Sequence, residues 1–229
     1  MRIALIGPED RIAEWQQRLP HIEPVYVATT PPPFHDRPDI DLVFDLDLDQ
    51  DPERMAAYAP VPGLMVIGCA VKRTLAELAL WGGRPPAGSL VGLNALPTFL
   101  HRPAWEFSLY QSEDRERLEL ICNELDLAWE IVEDRLGMVT PRVLAMIINE
   151  ACTLVQEGTA SPGDIDAAMR LGTNYPLGPL AWAAAIGPEH LVELLDLLRQ
   201  ETGEGRFRVA PLLRNLLRRG EWFDVRADA

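Results

Sequence analysis

The sequence predicts an α/β unit followed by an all-α unit, and two observations carry that reading. Over residues 2–132, short apolar runs alternate with helix-like segments, the pattern of a parallel sheet with helices on its faces. From Gly137 onward strand signals stop and apolar residues recur at helical spacing. The natural boundary lies near residues 135–137, which divides the chain into units 1–136 and 137–229.

Residues 2–6 form an apolar run ended by Gly7-Pro8, and 10–19 follow with Ile12, Trp15 and Leu19 at helical spacing. A second strand is expected at 25–28. Pro31-Pro32-Pro33 then breaks regularity, since consecutive prolines fit neither helix nor central strand. Further strands are expected at 42–46, 64–67, 89–93, 106–109 and 129–132, and helices at 53–58, 74–81 and 114–125. In the second half, 143–156 carries apolar residues at 143, 144, 147, 151, 154 and 155 and ends at Gly158. Ser161-Pro162-Gly163-Asp164 reads as a helix start, with Ser as N-cap, Pro at the first helical position and an acid in the first turn. That helix is expected to end at Gly172, and further helices at 180–186, 189–201 and 210–219. Helices 143–156 and 189–199, with Trp182, are the candidates for core and interface.

The formal net charge of −14, from 35 acids against 21 Lys and Arg, excludes the basic stripe that nucleic acid requires and disfavours anionic membrane surfaces. No apolar run reaches the roughly 18–20 residues that span a bilayer, and the N-terminus lacks the pattern of a secretory leader. The three cysteines, Cys69, Cys122 and Cys152, have no metal-ligand spacing and read as buried thiols of a reducing compartment, so a cytoplasmic location is expected.

Several stretches of the second half are distinctive. Gly137-Met138-Val139-Thr140-Pro141-Arg142, Asn149-Glu150-Ala151, Ala160 through Met169, and Gly172-Thr173-Asn174-Tyr175-Pro176-Leu177-Gly178-Pro179-Leu180 together resemble the C-terminal domain of the 3-hydroxyacyl-CoA dehydrogenase family. Residues 206–220, with their Pro-Leu-Leu helix, continue the likeness. The resemblance implies a truncated Rossmann-like domain over 1–136, a 3-hydroxyacyl-CoA dehydrogenase C-terminal-type helical domain over 137–229, and a homodimer made through the latter. It also implies a deletion. The family's long helical hairpin after the second strand is reduced here to the proline loop 29–38.

The family binds NAD through a G-x-G-x-x-G loop whose backbone N–H groups approach the pyrophosphate. Here Gly7-Pro8-Glu9-Asp10-Arg11-Ile12 stands in that place. Gly7 alone remains as a cofactor-binding candidate; Pro8 removes a donor, and Glu9 and Asp10 read as charges that complement the helix dipole. The family's catalytic His and its partner Glu twelve residues later fall on Asn94 and Glu106. An asparagine amide cannot accept a proton at physiological pH, and Glu106 without a histidine reads as a strand-end carboxylate. The family's substrate-contacting Ser and Asn fall on Val71 and Pro141.

Other constellations are weaker. Asp45-Leu46-Asp47-Leu48-Asp49-Gln50-Asp51 lacks the glycine and bidentate glutamate of a calcium loop and reads as a strand end with alternating solvated acids. The basic run 214–219 reads as a solvated helix end, and His21, His35, His101 and His190 form no catalytic array. No metal site is expected. The sequence therefore points to a family member that has lost NAD-dependent oxidation of 3-hydroxyacyl-CoA and acts as a binding or scaffold homologue without cofactor. Two alternatives stand beside it. One is an active dehydrogenase of fatty-acid and acyl-CoA metabolism with NAD and a displaced base such as His101; the other is an auxiliary subunit of an active paralogue.

Overall fold

The computed structural model describes residues 1–83 and 85–223. The chain forms two compact units, Met1–Met138 and Val139–Ala229. The last six residues, counted in the expected second unit, lie outside the described residues.

The first unit runs β1 (Ile3–Ile6), α1 (Glu9–Arg18), β2 (Tyr26–Ala28), β3 (Leu42–Asp45), α2 (Met55–Tyr58), β4 (Met65–Cys69), α3 (Leu75–Trp81), β5 (Ser89–Leu93), β6 (Ala104–Leu109), α4 (Arg115–Glu124) and β7 (Ala128–Ile131). The strands make one sheet in the order β2-β1-β3-β4-β5-β6-β7. β1, β3, β4 and β5 are buried along their whole length and apolar but for Asp45 at the end of β3 and Ser89 at the start of β5, as strands covered on both faces must be. β7, at the sheet's edge, instead alternates exposed with half-buried residues. An aromatic stack of Trp15, Phe44, Trp105 and Phe107, with centroid separations of 5.4 to 6.2 Å, links α1 to β3 and β6.

One pairing departs from the all-parallel expectation. β6 runs antiparallel to β5, while β7 is again parallel to β6. The connection from 94 to 103 contains no helix and is shorter than the dozen or so residues a parallel crossover needs, so the chain returns on itself. Two further local differences arise at helix starts and ends. The segment expected as helix 53–58 opens with a 3₁₀ turn, Pro52–Arg54. The start of α3 has a capping box between Thr74 and Glu77, and Asp134 accepts from the Leu75 and Ala76 N–H groups at 2.8 and 3.3 Å, so the orphan donors of the first turn are satisfied.

The second unit is α5 (Thr140–Gln156), α6 (Pro162–Thr173), α7 (Pro179–Ile186), α8 (Pro188–Thr202) and α9 (Pro211–Arg219). α6 to α9 each begin on a proline, whose missing N–H costs nothing at that position. Helix α5 packs against the other four, and Trp182 is buried in this core. The side chain of Asn149 on α5 donates to the Arg208 carbonyl at 3.0 Å and accepts from Ala210 N–H at 2.8 Å, pinning the segment that leads into α9. Ser161 caps α6 by accepting from Asp164 N–H. The helix runs past Gly172 to Thr173, and Asn174, at φ 58°, takes the left-handed position expected of Gly172 because asparagine tolerates it. In the basic run, Arg214 is not simply solvated: it grips Asp196 with both terminal nitrogens at 3.0 and 2.6 Å.

Candidate functional site

Because β1, β3, β4 and β5 are parallel, their carboxyl ends lie along one edge of the sheet. Sheet order changes direction at β1, with β2 on one side and β3 on the other, and ligands of open α/β sheets bind at such a point. Gly7 follows β1, Asp45 ends β3, Cys69 ends β4 and Asn94 follows β5. The antiparallel return of β6 brings Glu106 to the same edge.

Asn94 and Glu106 are in contact. The Asn94 side-chain amide donates to Glu106 Oε2 at 3.4 Å, and the Asn94 backbone N–H donates to the Glu106 carbonyl at 3.0 Å. Both residues are buried, and Asn94 Oδ1 has no hydrogen-bond partner among the described residues. Glu106 is thus not a strand-end carboxylate. It is the third residue of β6, facing inward and holding an amide. An amide oriented this way can hydrogen-bond a ligand's donor through Oδ1 but has no basic lone pair with which to remove a proton.

Gly7 sits at φ 152°, and a Cβ added to it would meet the Leu46 Cβ at 3.1 Å. Its N–H donates to the Ala28 carbonyl at 3.1 Å, and the Pro8 carbonyl accepts from Ile12. Glu9 and Asp10 lie exposed in the first turn of α1. This loop offers no glycine-lined approach for a diphosphate, because Pro8 lacks an N–H, Gly7 has spent its own, and Leu46 covers the glycine. The residues present do not fit a dinucleotide in the mode that requires three glycines.

Most of the acidic run that begins at the end of β3 is withdrawn from solvent, with the Asp51 side chain half exposed. Asp45 and Asp49 are buried, at 0% and 3% exposure, and Asp47 is half-buried. Asp45 accepts from the Tyr58 hydroxyl at 2.6 Å, from Arg54 Nη1 at 3.0 Å and from Asp47 N–H at 3.2 Å. Burial pushes the Asp45 carboxyl up, opposed by the charge of Arg54 and the hydrogen bond from Tyr58. Burial pushes Asp47 up to about 6, the charge of Asp49 adds to the rise, and Arg54 works against it. Asp49 Oδ2 accepts from Val71 N–H and Lys72 N–H at 2.8 Å each, and Cys69 Sγ lies 3.5 Å away. The intervening Leu46 and Leu48 go into the core, and this draws the flanking Asp45 and Asp49 inward with them. The Asp-Leu alternation directly after an apolar strand was the available signal. Arg54, Tyr58 and Lys72 had none, since only the fold brings them to the acids.

The remaining sequence candidates are scattered. Val71 is buried; its N–H donates to Asp49 and its carbonyl accepts from Gly137 N–H. His101 is exposed on the turn before β6. Pro141 lies buried in the first turn of α5, in the second unit. Among the described residues no group of three His, Cys, Asp or Glu could hold a metal ion, and no helix is long and apolar enough to cross a membrane.

Residues 137–223 match the family model described as the 3-hydroxyacyl-CoA dehydrogenase C-terminal domain. The chain is 52% identical over 83 residues to 3-hydroxyadipyl-CoA dehydrogenase of Escherichia coli, a match covering 36% of this chain and 18% of that protein. It is 38% identical over 87 residues to 3-hydroxybutyryl-CoA dehydrogenase of Clostridioides difficile, covering 38% of this chain and 31% of that one. The matched region therefore spans a third or less of these relatives' length. In fold the likeness is wider. The crystal structure of (S)-3-hydroxybutyryl-CoA dehydrogenase from Ralstonia eutropha superposes with a TM-score of 0.75 at 18% identity, covering 97% of this chain and 95% of that one.

Proposed function

We propose that this chain, whose residues 137–223 match the 3-hydroxyacyl-CoA dehydrogenase C-terminal domain, is a non-catalytic binding or scaffold member of that family. The observation that carries this reading is the buried contact of Asn94 with Glu106. The place that the family resemblance gives to a proton-accepting histidine holds an amide, and the carboxylate that would charge that histidine is engaged by the amide instead. Residues that act as a unit in catalysis fail together, and Val71 and Pro141 lack the polar groups of the positions they occupy. The Gly7–Ile12 loop removes the basis for binding NAD in the usual way. His101, exposed on its turn, does not meet Glu106 as a histidine partner would.

On this reading the protein works without a bound cofactor, away from nucleic acid and membrane, in the cytoplasm; the burial of all three cysteines agrees with a reducing compartment. Its partner is a second copy, engaged through the helical unit. Val139, just before α5, and Val143 on it, four residues apart and each 54% exposed, offer an apolar stripe for that contact. Acyl-CoA is the ligand class to screen first.

The decisive experiment measures hydride transfer from 3-hydroxybutyryl-CoA to NAD by the full chain. No turnover above the uncatalysed rate is expected, and turnover at ordinary dehydrogenase rates of roughly 1 s⁻¹ or more would sink the proposal. If turnover appears and His101→Ala abolishes it while Asn94→Ala does not, a displaced base is at work. Dimerisation is read separately by light scattering, with Val143→Asp expected to yield monomer.

A further inference from the structure

The segment between β3 and α2 lies across the carboxyl edge of the sheet, where a ligand of this fold would bind. Leu46 sits on Gly7 beyond β1, its Cβ 3.1 Å from where a glycine Cβ would be. Leu48 sits on Gly68 of β4 so closely that an added Cβ would meet it at 2.3 Å. Between and beyond them, Asp49 places one carboxylate oxygen on two consecutive backbone amides, Val71 and Lys72, each at 2.8 Å. Two successive N–H groups converging on one oxygen form the kind of concavity that binds anions. Here the anion is supplied by the chain itself. The segment is also clasped at both ends. Arg54 bridges Asp45 and Asp51 at 3.0 and 3.1 Å, and Arg73 Nε donates to the Asp49 carbonyl at 3.1 Å.

We propose that residues 46–51 are a built-in occupant of the sheet's ligand crevice, with Asp49 seated as an internal anion on the Val71–Lys72 amide pair. The contact is autoinhibitory in the structural sense: while it holds, an external carboxylate or phosphate finds the seat taken. This goes beyond the loss of proton transfer at Asn94, because it concerns different residues and would hold whether or not chemistry survives.

The test is chemical rescue in the full chain. Asp49→Ala empties the seat and leaves room for a small carboxylate. In chloride this variant should melt well below wild type. Replacing chloride by formate at equal ionic strength should raise its melting temperature by about 3 °C or more beyond any change in wild type, a shift that unfolding entropies of a unit this size make measurable. Asp49→Asn, which keeps an acceptor oxygen in place, should gain little from formate. If formate and phosphate move Asp49→Ala no further than they move wild type, the proposal is overturned. Should Asp49→Ala not fold in chloride, refolding from urea in formate replaces the melt. Recovery in formate alone supports the seat; recovery in neither salt, with Asp49→Asn folding normally, refutes it. The hydride-transfer assay is unaffected by either outcome, so the two readings fail separately.

Discussion

Asn94 lends its side-chain amide to Glu106 across the turn from β5 to β6, at 3.4 Å and with both residues buried. The pair is stable because one partner is neutral. Asn94→Asp should therefore put a second carboxylate against Glu106 in place of the donating amide. Near pH 7 this should cost about 2–4 kcal/mol of stability, since two like charges then repel in a buried place and the amide hydrogen bond is lost. Of two close carboxylates one is held protonated, its pKa raised in the folded state. The destabilisation should therefore shrink as pH falls below about 4, where both can carry protons. Asn94→Ala loses only the hydrogen bond and should show no such recovery. Urea melts of both variants at two pH values decide it; an equal, pH-independent loss would contradict the assignment.

Asp47 offers a second pH test. Its carboxyl is pushed up from 3.8 to about 6, first by burial and then by Asp49. A folded-state pKa raised in this way favours folding when protonated. The contribution is fully present below the unfolded value near 3.8 and is lost as pH rises through about 6. Asp47→Asn should flatten the stability profile between those limits and leave the variant more stable than wild type at pH 7. A variant less stable than wild type at pH 7, with the profile unchanged, would show that ionised Asp47 is well paired.

In the helical unit, Gly178 presses against Asp166, whose Cγ would lie 2.2 Å and Cα 2.6 Å from an added Cβ. Asp166 accepts from Leu180 and Ala181 N–H at 2.8 and 2.9 Å and so caps α7 from α6. Gly178→Ala should cost about 2–4 kcal/mol, because the methyl displaces the cap as well as crowding the backbone. Asp166→Ala loses the cap alone and should cost about 1–2 kcal/mol. In the double variant the losses should not add, since both act through one contact; additive melting shifts would refute the coupling.

All three cysteines are buried, and burial pushes Cys122 and Cys152 up to about 12 and Cys69 well above its ordinary value, the last raised further by Asp49. Only thiolates attack disulfides readily. A chromogenic disulfide reagent should release almost nothing from the native protein at pH 8 and three equivalents after unfolding. Rapid native release of one equivalent would show a thiol that opens to solvent.

Much of the fold was written in local pattern. The run Ile3-Ala4-Leu5-Ile6, bounded by Gly7-Pro8, admits little besides a buried strand, and Ser161-Pro162-Gly163-Asp164 begins a helix by its own hydrogen bonds. The spacing of twelve between Asn94 and Glu106 already placed them together once the family resemblance was seen. Local pattern did not reveal the direction of β6, because an antiparallel return depends on how much chain is available to cross the sheet. It also did not reveal that Asp45 and Asp49 are buried. Their burial is imposed by Leu46 and Leu48, and is tolerable only because Arg54, Tyr58 and the Val71–Lys72 amides arrive from elsewhere in the sequence. By itself the sequence determined which segments are strands and helices, for these follow from neighbouring residues. The tertiary structure alone decided which polar groups meet at the sheet's edge and what occupies it, because desolvation and hydrogen bonding act through space between residues the chain holds far apart.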